Sequence, residues 1–163
     1  MIDCDPLLRK NVLGVYAADR LPRNVPSYPY GLIANTDIHT KPGKHWCAIF
    51  NDGQGHAQFF DSYGRSPRLN SDYFERWIRV NAKTVTINKA QIQSDDSRLC
   101  GLYCIFVLRQ MIMRITMDDI VNSFDIRNTR ANDAYVFDIM TRLYAGCLGR
   151  DCGQTCTCMC ENN

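Results

Sequence analysis

The stretch QIQSDDSRLCGLYCIFVLRQ, residues 91 to 110, constrains the fold more than any other. Its first half is polar and suited to a loop, with two glutamines, two aspartates and two serines. Its second half predicts a helix beginning near Cys100 that is apolar nearly all round, through Leu102, Tyr103, Ile105, Phe106, Val107, Leu108, Met111 and Ile112. A helix with no polar face has nothing to offer water and belongs at the centre of a domain. Arg109 and Gln110 break the run well short of the ~18 apolar residues of a membrane span. The rest of the chain must therefore cover this helix.

Most of that cover is legible upstream. HWCAIF (45–50) and HAQFFD (56–61) flank NDGQG; Trp46, Ala48 and Phe50 alternate with His45, Cys47 and Ile49, and the Asp-Gly turn completes a hairpin signature. YGLIANTD predicts a short strand entering the core, and KTVTIN another. The remainder of residues 1 to 44 is rich in turn formers, RLPRNVPSYPYG holding three of the six prolines. A helix is predicted from about Ser71 to Val80, with Tyr73, Phe74, Trp77 and Ile78 on one face. Another starts at the capping-box-like TMDD, and a third spans ANDAYVFDIMTRLY, stopped by Gly146. Strands fill the first half and helices the second, so the class is α+β. The 163 residues suffice for one domain with a sizeable core, expected over 1–146.

Charge and cysteine usage narrow the setting. A net charge of +2 with no stripe of Lys and Arg permits a nucleic-acid partner without indicating one. The segment MIDCDPLLRK lacks a basic stretch followed by an apolar one, so no secretory signal is expected, and no membrane partner. Nine cysteines, an odd number, argue for a reducing, intracellular location and against a disulfide framework. Cys147, Cys152, Cys156, Cys158 and Cys160 crowd the last seventeen residues, separated by four, three, one and one residues. Without a CxxC pair these fit a single tetrahedral zinc site poorly; a flexible tail over 147–163 and no metal site are expected.

The thiol where the loop meets the buried helix is the chemical question. At a helix N-terminus, Cys100 meets unpaired N–H groups and the positive end of the helix dipole, both of which favour a nucleophilic thiolate. A base must then be one of three histidines. His39 is read as a loop residue and His56 as lying just after the hairpin turn at the sheet's edge. His45 opens the first hairpin strand and Asp61 closes the second, so pairing about NDGQG brings both to the open end, where the carboxylate can fix the imidazole tautomer. Gln93 can supply a side-chain amide to an oxyanion beside the Cys100 backbone N–H. Gln91 competes with it from the opposite side of an extended segment, and Cys104 and Cys47 are read as core packing.

GKHWCAIF, HAQFFDSYG and QSDDSRLCGLYCIFVL, in this order and spacing, resemble the adenovirus-type cysteine proteases found in adenoviruses and in Polinton or Maverick virus-like transposons. LGVYAADRLP is similar to that family's N-terminal segment. The resemblance spans about residues 12 to 125 and implies a papain-like, ubiquitin-like-protease-type core, a small mixed sheet packed against a central buried helix. It implies His45 as base, Asp61 as orienting acid, Gln93 as oxyanion donor and Cys100 as nucleophile of an endopeptidase. The implied substrates are structural precursor proteins, such as capsid precursors, cut near glycine during particle maturation. That places the protein in the host nucleus or cytoplasm or in a virus-like particle, as a monomer. No cofactor is expected to be required. The family's accessories, an activating peptide and DNA, are the candidates, but NAKTVTINKA has no cysteine to tether a peptide and the charge suits only weak DNA binding. A deubiquitinase or SUMO-specific protease shares the order of site residues; six residues rather than five between Gln93 and Cys100, and Leu99 rather than Asp before the cysteine, favour the adenovirus-type pattern. A metal-binding module or an inactive relative is the remaining alternative, and the intact set of four residues argues against decay.

Overall fold

The computed structural model describes residues 1–148. In chain order these form α1 (Pro6–Asn11), β1 (Val12–Tyr16), β2 (Tyr30–Asn35), β3 (Trp46–Asn51), β4 (His56–Phe60), α2 (Pro67–Asn70), α3 (Asp72–Asn81), β5 (Thr84–Ile87), α4 (Cys100–Ile112), α5 (Met117–Asn122), α6 (Thr129–Leu143) and α7 (Ala145–Leu148). The strands build one sheet in the order β1-β2-β3-β4-β5. Its three central strands pair antiparallel and its two outer strands pair parallel to their neighbours. A parallel β4–β5 pair needs a crossover, which α2 and α3 supply while covering one face of the sheet. The class is α+β, with a mixed sheet and a buried central helix.

Both faces of the sheet are buried, which is why β3 carries apolar residues at every position from Trp46 to Phe50. Ala48, with Trp46 and Phe50 packed alongside, joins the cluster built on α4. Cys47 and Ile49 point the other way, into a cluster with Phe59, Phe74 and Ile78. On α4, Tyr103, Cys104, Val107 and Leu108 have no exposed surface. Burying a side chain such as Leu108 contributes roughly 1.5–3 kcal/mol. The helix approaches β2 closely because position 31 is glycine: a Cβ there would lie 2.8 Å from the Leu108 Cδ2.

Three expectations need correction. The first forty residues are not only turns, for α1 and β1 lie within them. A six-residue helix is too short to show a period; α1 is instead started by Pro6 and by Asp5, whose carboxylate accepts from the Leu7 N–H at 2.8 Å. A register shift between Val12 and Val15 disrupts alternation along β1. Gly146 does not stop α6, which ends at Leu143; the chain turns at Tyr144, whose buried hydroxyl donates to Asp5, and Gly146 sits inside α7. Nor is His56 at the edge of the sheet: β5 pairs outside β4, and the His56 ring is hydrogen-bonded to Thr84 and Thr86.

Cys4, Cys47, Cys100 and Cys104 are free thiols. Cys152, Cys156, Cys158 and Cys160 lie outside the described residues. Among the described residues, no helix is long and apolar enough to cross a membrane.

Candidate active site

Hairpin register decides which side chains meet at the open end of β3 and β4. Ala48 pairs with Phe60, so Asp61, one residue further, comes beside the start of β3. His45 sits just before that start, its carbonyl accepting from the Thr36 N–H at 2.9 Å. The His45 Nε2 and Asp61 Oδ1 are 2.6 Å apart, with both residues buried.

Asp61 is a carboxylate held from several sides. Its Oδ1 also accepts from the Tyr63 N–H at 2.9 Å, and its Oδ2 accepts from the Arg65 N–H at 3.2 Å and the Asn70 Nδ2 at 2.9 Å. The Asn88 side-chain amide pairs with the Asp61 backbone in both directions, Oδ1 accepting from N at 2.9 Å and Nδ2 donating to O at 2.7 Å. A side chain thus prolongs the ladder by one residue beyond β5. The segment then turns sharply: Gly64 donates to the Asp61 carbonyl at 2.8 Å with φ +68°, and a Cβ there would lie 2.6 Å from the Lys89 carbonyl. Only glycine fits both the backbone angle and the close approach.

These contacts set the protonation of the pair. Burial alone would raise the Asp61 carboxyl, but the hydrogen bond from His45, its charge and the further donors outweigh it and hold the carboxyl below its usual value. Burial alone would lower His45, yet hydrogen bonds to Asp61 and Cys100 prevail and push it up to about 9. The imidazole is therefore charged at neutral pH. With Nε2 committed to Asp61, Nδ1 is the nitrogen left for Cys100.

Cys100 is the first residue of α4 and nearly buried. No side chain caps this helix end at Leu99, so the first-turn N–H groups have no side-chain acceptor and remain available to an anion. Cys104 and Cys47 are fully buried, and burial pushes both thiols well up, which leaves them unreactive. Gln93 is fully buried, whereas Gln91 is exposed and bonded to Asp95 at 2.8 Å; Ile92 and Ser94 are buried as well, so the segment does not alternate like a strand. The Gln93 Nε2 donates to the Ser97 carbonyl at 2.9 Å. Its loop is pinned from behind by α4 and α6: the Tyr103 hydroxyl donates to Asp133 at 2.9 Å, Asn132 donates to the Ile92 carbonyl at 3.0 Å, and Ser94 is hydrogen-bonded to Asp133.

His45 and Asp61 are thus joined directly, Cys100 lies close enough to help raise the imidazole, and Gln93 joins the Asp61 segment through its neighbour Ser62. His39 stands apart, bonded to Asp19 at 2.6 Å and exposed. Among the described residues, the group able to hold a metal is His45, Cys47 and Asp61, whose donor atoms lie within 4.8 Å of one another. Two of these donors already share a hydrogen bond and the third is a buried thiol, so the set serves proton sharing better than coordination.

Sequence reasoning missed several members of this site. The ring stacked on His45 is Tyr63, at 4.9 Å between centroids, with the Arg65 guanidinium 5.0 Å from the Tyr63 ring centre. Trp46, adjacent in sequence, packs instead against the α4 cluster. Ser62 and Tyr63 carried a usable signal, since they directly follow Asp61. Asn70, Asn88 and Asp133 carried none, because their partners are distant in the chain.

A polarised thiol, a charged imidazole on a buried carboxylate and amide donors nearby can perform acyl transfer through a thioester. No protein-family model matches the chain. It is similar to a cysteine protease of African swine fever virus, Tick/Malawi isolate, 27% identical over 128 residues. The counterpart from the Pig/Kenya isolate, named a SUMO-1 cysteine protease, is likewise 27% identical. Each alignment covers 73% of this chain and 45% of the relative, so the chain spans less than half the length of the curated relatives it matches. Among solved structures, the pS273R protease of that virus aligns with 25% identity and a TM-score of 0.49, over 62% of this chain and 40% of that one. A second structure of it gives 28% and 0.43, over 54% and 34%.

Proposed function

We propose that this protein is a cysteine peptidase with Cys100 as nucleophile, His45 as base and acid, Asp61 as orienting carboxylate and Gln93 as oxyanion donor. The observation that carries the reading is His45, hydrogen-bonded to the buried Asp61 at 2.6 Å and close enough to Cys100, at the uncapped start of α4, for the thiol to help raise the imidazole. The Cys100 sulfur attacks the scissile carbonyl carbon as a thiolate beside the His45 imidazolium. The C–N bond breaks as His45 gives its proton to the departing amine, leaving a thioester. His45 then takes a proton from water, whose oxygen attacks the thioester, and the sulfur departs as thiolate. Negative charge on the carbonyl oxygen is met by the Gln93 amide and the Cys100 N–H.

For substrate, the name carried by several relatives, SUMO-1 cysteine protease, supports action on SUMO-like proteins. The second reading, cleavage of structural precursors near glycine, is supported by the six residues between Gln93 and Cys100. The test is a panel of SUMO-derived, ubiquitin-derived and glycine-containing precursor-like substrates, with and without DNA, offered to the wild type and to Cys100→Ala. Turnover of SUMO-derived substrates, lost by at least about 10⁴-fold in the variant, is the expected result. Turnover of the short peptides alone would support precursor cleavage, and equal turnover by Cys100→Ala would overturn the peptidase reading.

A further inference from the structure

We propose that Ser62 is a positioning residue of the candidate oxyanion site, holding the Gln93 amide in the orientation that the Ser97 carbonyl selects; this rests on the peptidase reading above. Ser62 and Gln93 are both fully buried. The Ser62 hydroxyl donates to the Gln93 Oε1 at 2.6 Å, while the Gln93 Nε2 donates to the Ser97 carbonyl at 2.9 Å. The Ser97 carbonyl sets the orientation of the amide and the Ser62 hydroxyl secures it. A carbonyl has no proton to give, so Ser97 demands the nitrogen, and the oxygen is left to Ser62. Turned by half a rotation, the amide would set its oxygen against the Ser97 oxygen and lose that bond, and the Ser62 hydroxyl would have to turn round to accept from Nε2.

Ser62 also holds the Gln93 backbone. Its carbonyl accepts from the Ile92 N–H at 2.9 Å and the Gln93 N–H at 3.2 Å. With Oε1 occupied and one Nε2 proton committed, the second Nε2 proton is the donor left for a developing oxyanion. Because Ser62 follows Asp61, one dipeptide orients both the imidazole and the oxyanion donor. The base and the electrophilic donor are therefore set by the same short segment after β4.

Ser62→Ala removes only the hydroxyl. The expected result is a kcat lower by roughly tenfold or more, with KM little changed, less than the 10²–10³ lost when an oxyanion donor itself is removed. Binding of a peptide aldehyde, which forms a tetrahedral adduct on the thiol, should weaken in parallel. Alkylation of Cys100 by iodoacetamide should not change, because displacement at a saturated carbon builds no oxyanion. Ser62→Thr, which keeps the hydroxyl, should recover most of the rate. Unchanged kcat in Ser62→Ala, or alkylation falling with it, would overturn the proposal. If the wild type turned over nothing, the peptidase reading would fail first, and the Gln93 side-chain amide would still be read in a ¹H–¹⁵N spectrum, identified by its loss in Gln93→Glu. Exchange protection present in the wild type and lost in Ser62→Ala would then support the positioning, and equal protection in both would overturn it.

Discussion

Two buried aspartates stand at the two ends of α4 and are built on the same principle, yet they do different work. Asp61, at the end where Cys100 begins the helix, accepts from His45, Asn70 and two backbone N–H groups. Asp5, at the other end, starts α1 and accepts from the Arg109 Nε at 3.0 Å and the Tyr144 hydroxyl at 2.8 Å. Burial would raise both carboxyls, and hydrogen bonding lowers both below the usual value. What differs is the partner. Arg109 keeps its charge at any ordinary pH, and the Tyr144 hydroxyl, pushed up by burial and by Asp5, keeps its proton. Asp5 can therefore only hold α1, α4 and the end of α6 together. The partner of Asp61 is an imidazole that can release its proton, so the same carboxylate contact becomes a means of moving one. A buried carboxylate does chemistry when its donor can change state.

The sharpest way to break this comparison is Asp61→Asn. It keeps shape but removes the charge that orients and stabilises the imidazolium, and kcat/KM should fall by about 10²–10⁴, less than in Cys100→Ala. The alkaline limb of the activity profile, expected near the His45 value of about 9, should move to lower pH. A fall as large as that of Cys100→Ala, with a matching loss of folded protein, would make Asp61 a structural residue like Asp5. The converse variant is Asp5→Ala, which loses a helix cap and orphans Arg109 and Tyr144. It should lower the unfolding free energy by about 2–3 kcal/mol in a urea titration. Its turnover per folded molecule should stay within about twofold of wild type. A large change in kcat at full folding would tie Asp5 to the chemistry.

A smaller effect sharpens the difference through pH. His45 is raised on folding, so its ion pair stabilises fully below the ordinary imidazole value of ~6.5, and that contribution is lost as pH rises through about 9. Asp61 and Asp5 are lowered, so their contributions are present above ~4 and are lost as pH falls through the folded values. Unfolding free energy measured from pH 7 to 10 should decline in the wild type and in Asp5→Ala but stay flatter in Asp61→Asn. Equal slopes in all three would disconnect His45 from Asp61.

The helix Cys100–Ile112 was legible because an all-round apolar run leaves one environment open to it. The nearness of His45 and Asp61 was legible because strand period and turn chemistry fix hairpin register within a few residues. Where the sequence was silent, the contacts run far along the chain or involve single polar side chains. Asp5 meets Arg109 and Tyr144 across separations of 104 and 139 residues, and Asn88 reaches Asp61 across 27. No local period encodes such pairs. Tyr63, and not the adjacent Trp46, is the ring beside His45 because the strand alternation sends Trp46 to the α4 face, while the turn held by Gly64 carries Tyr63 to the imidazole.

By itself, then, the sequence determined the α+β class, the central helix, the hairpin and the meeting of His45 and Asp61 at its open end, because periodicity and turn geometry act over short spans. Only the tertiary structure decided how those residues are aimed. The Asn88 clamp on Asp61, the Ser62 and Ser97 hold on Gln93 and the Asp133 anchor behind the loop arise where packing closes distant segments on one another. There a buried polar group left without its partner would cost more than the fold can spare.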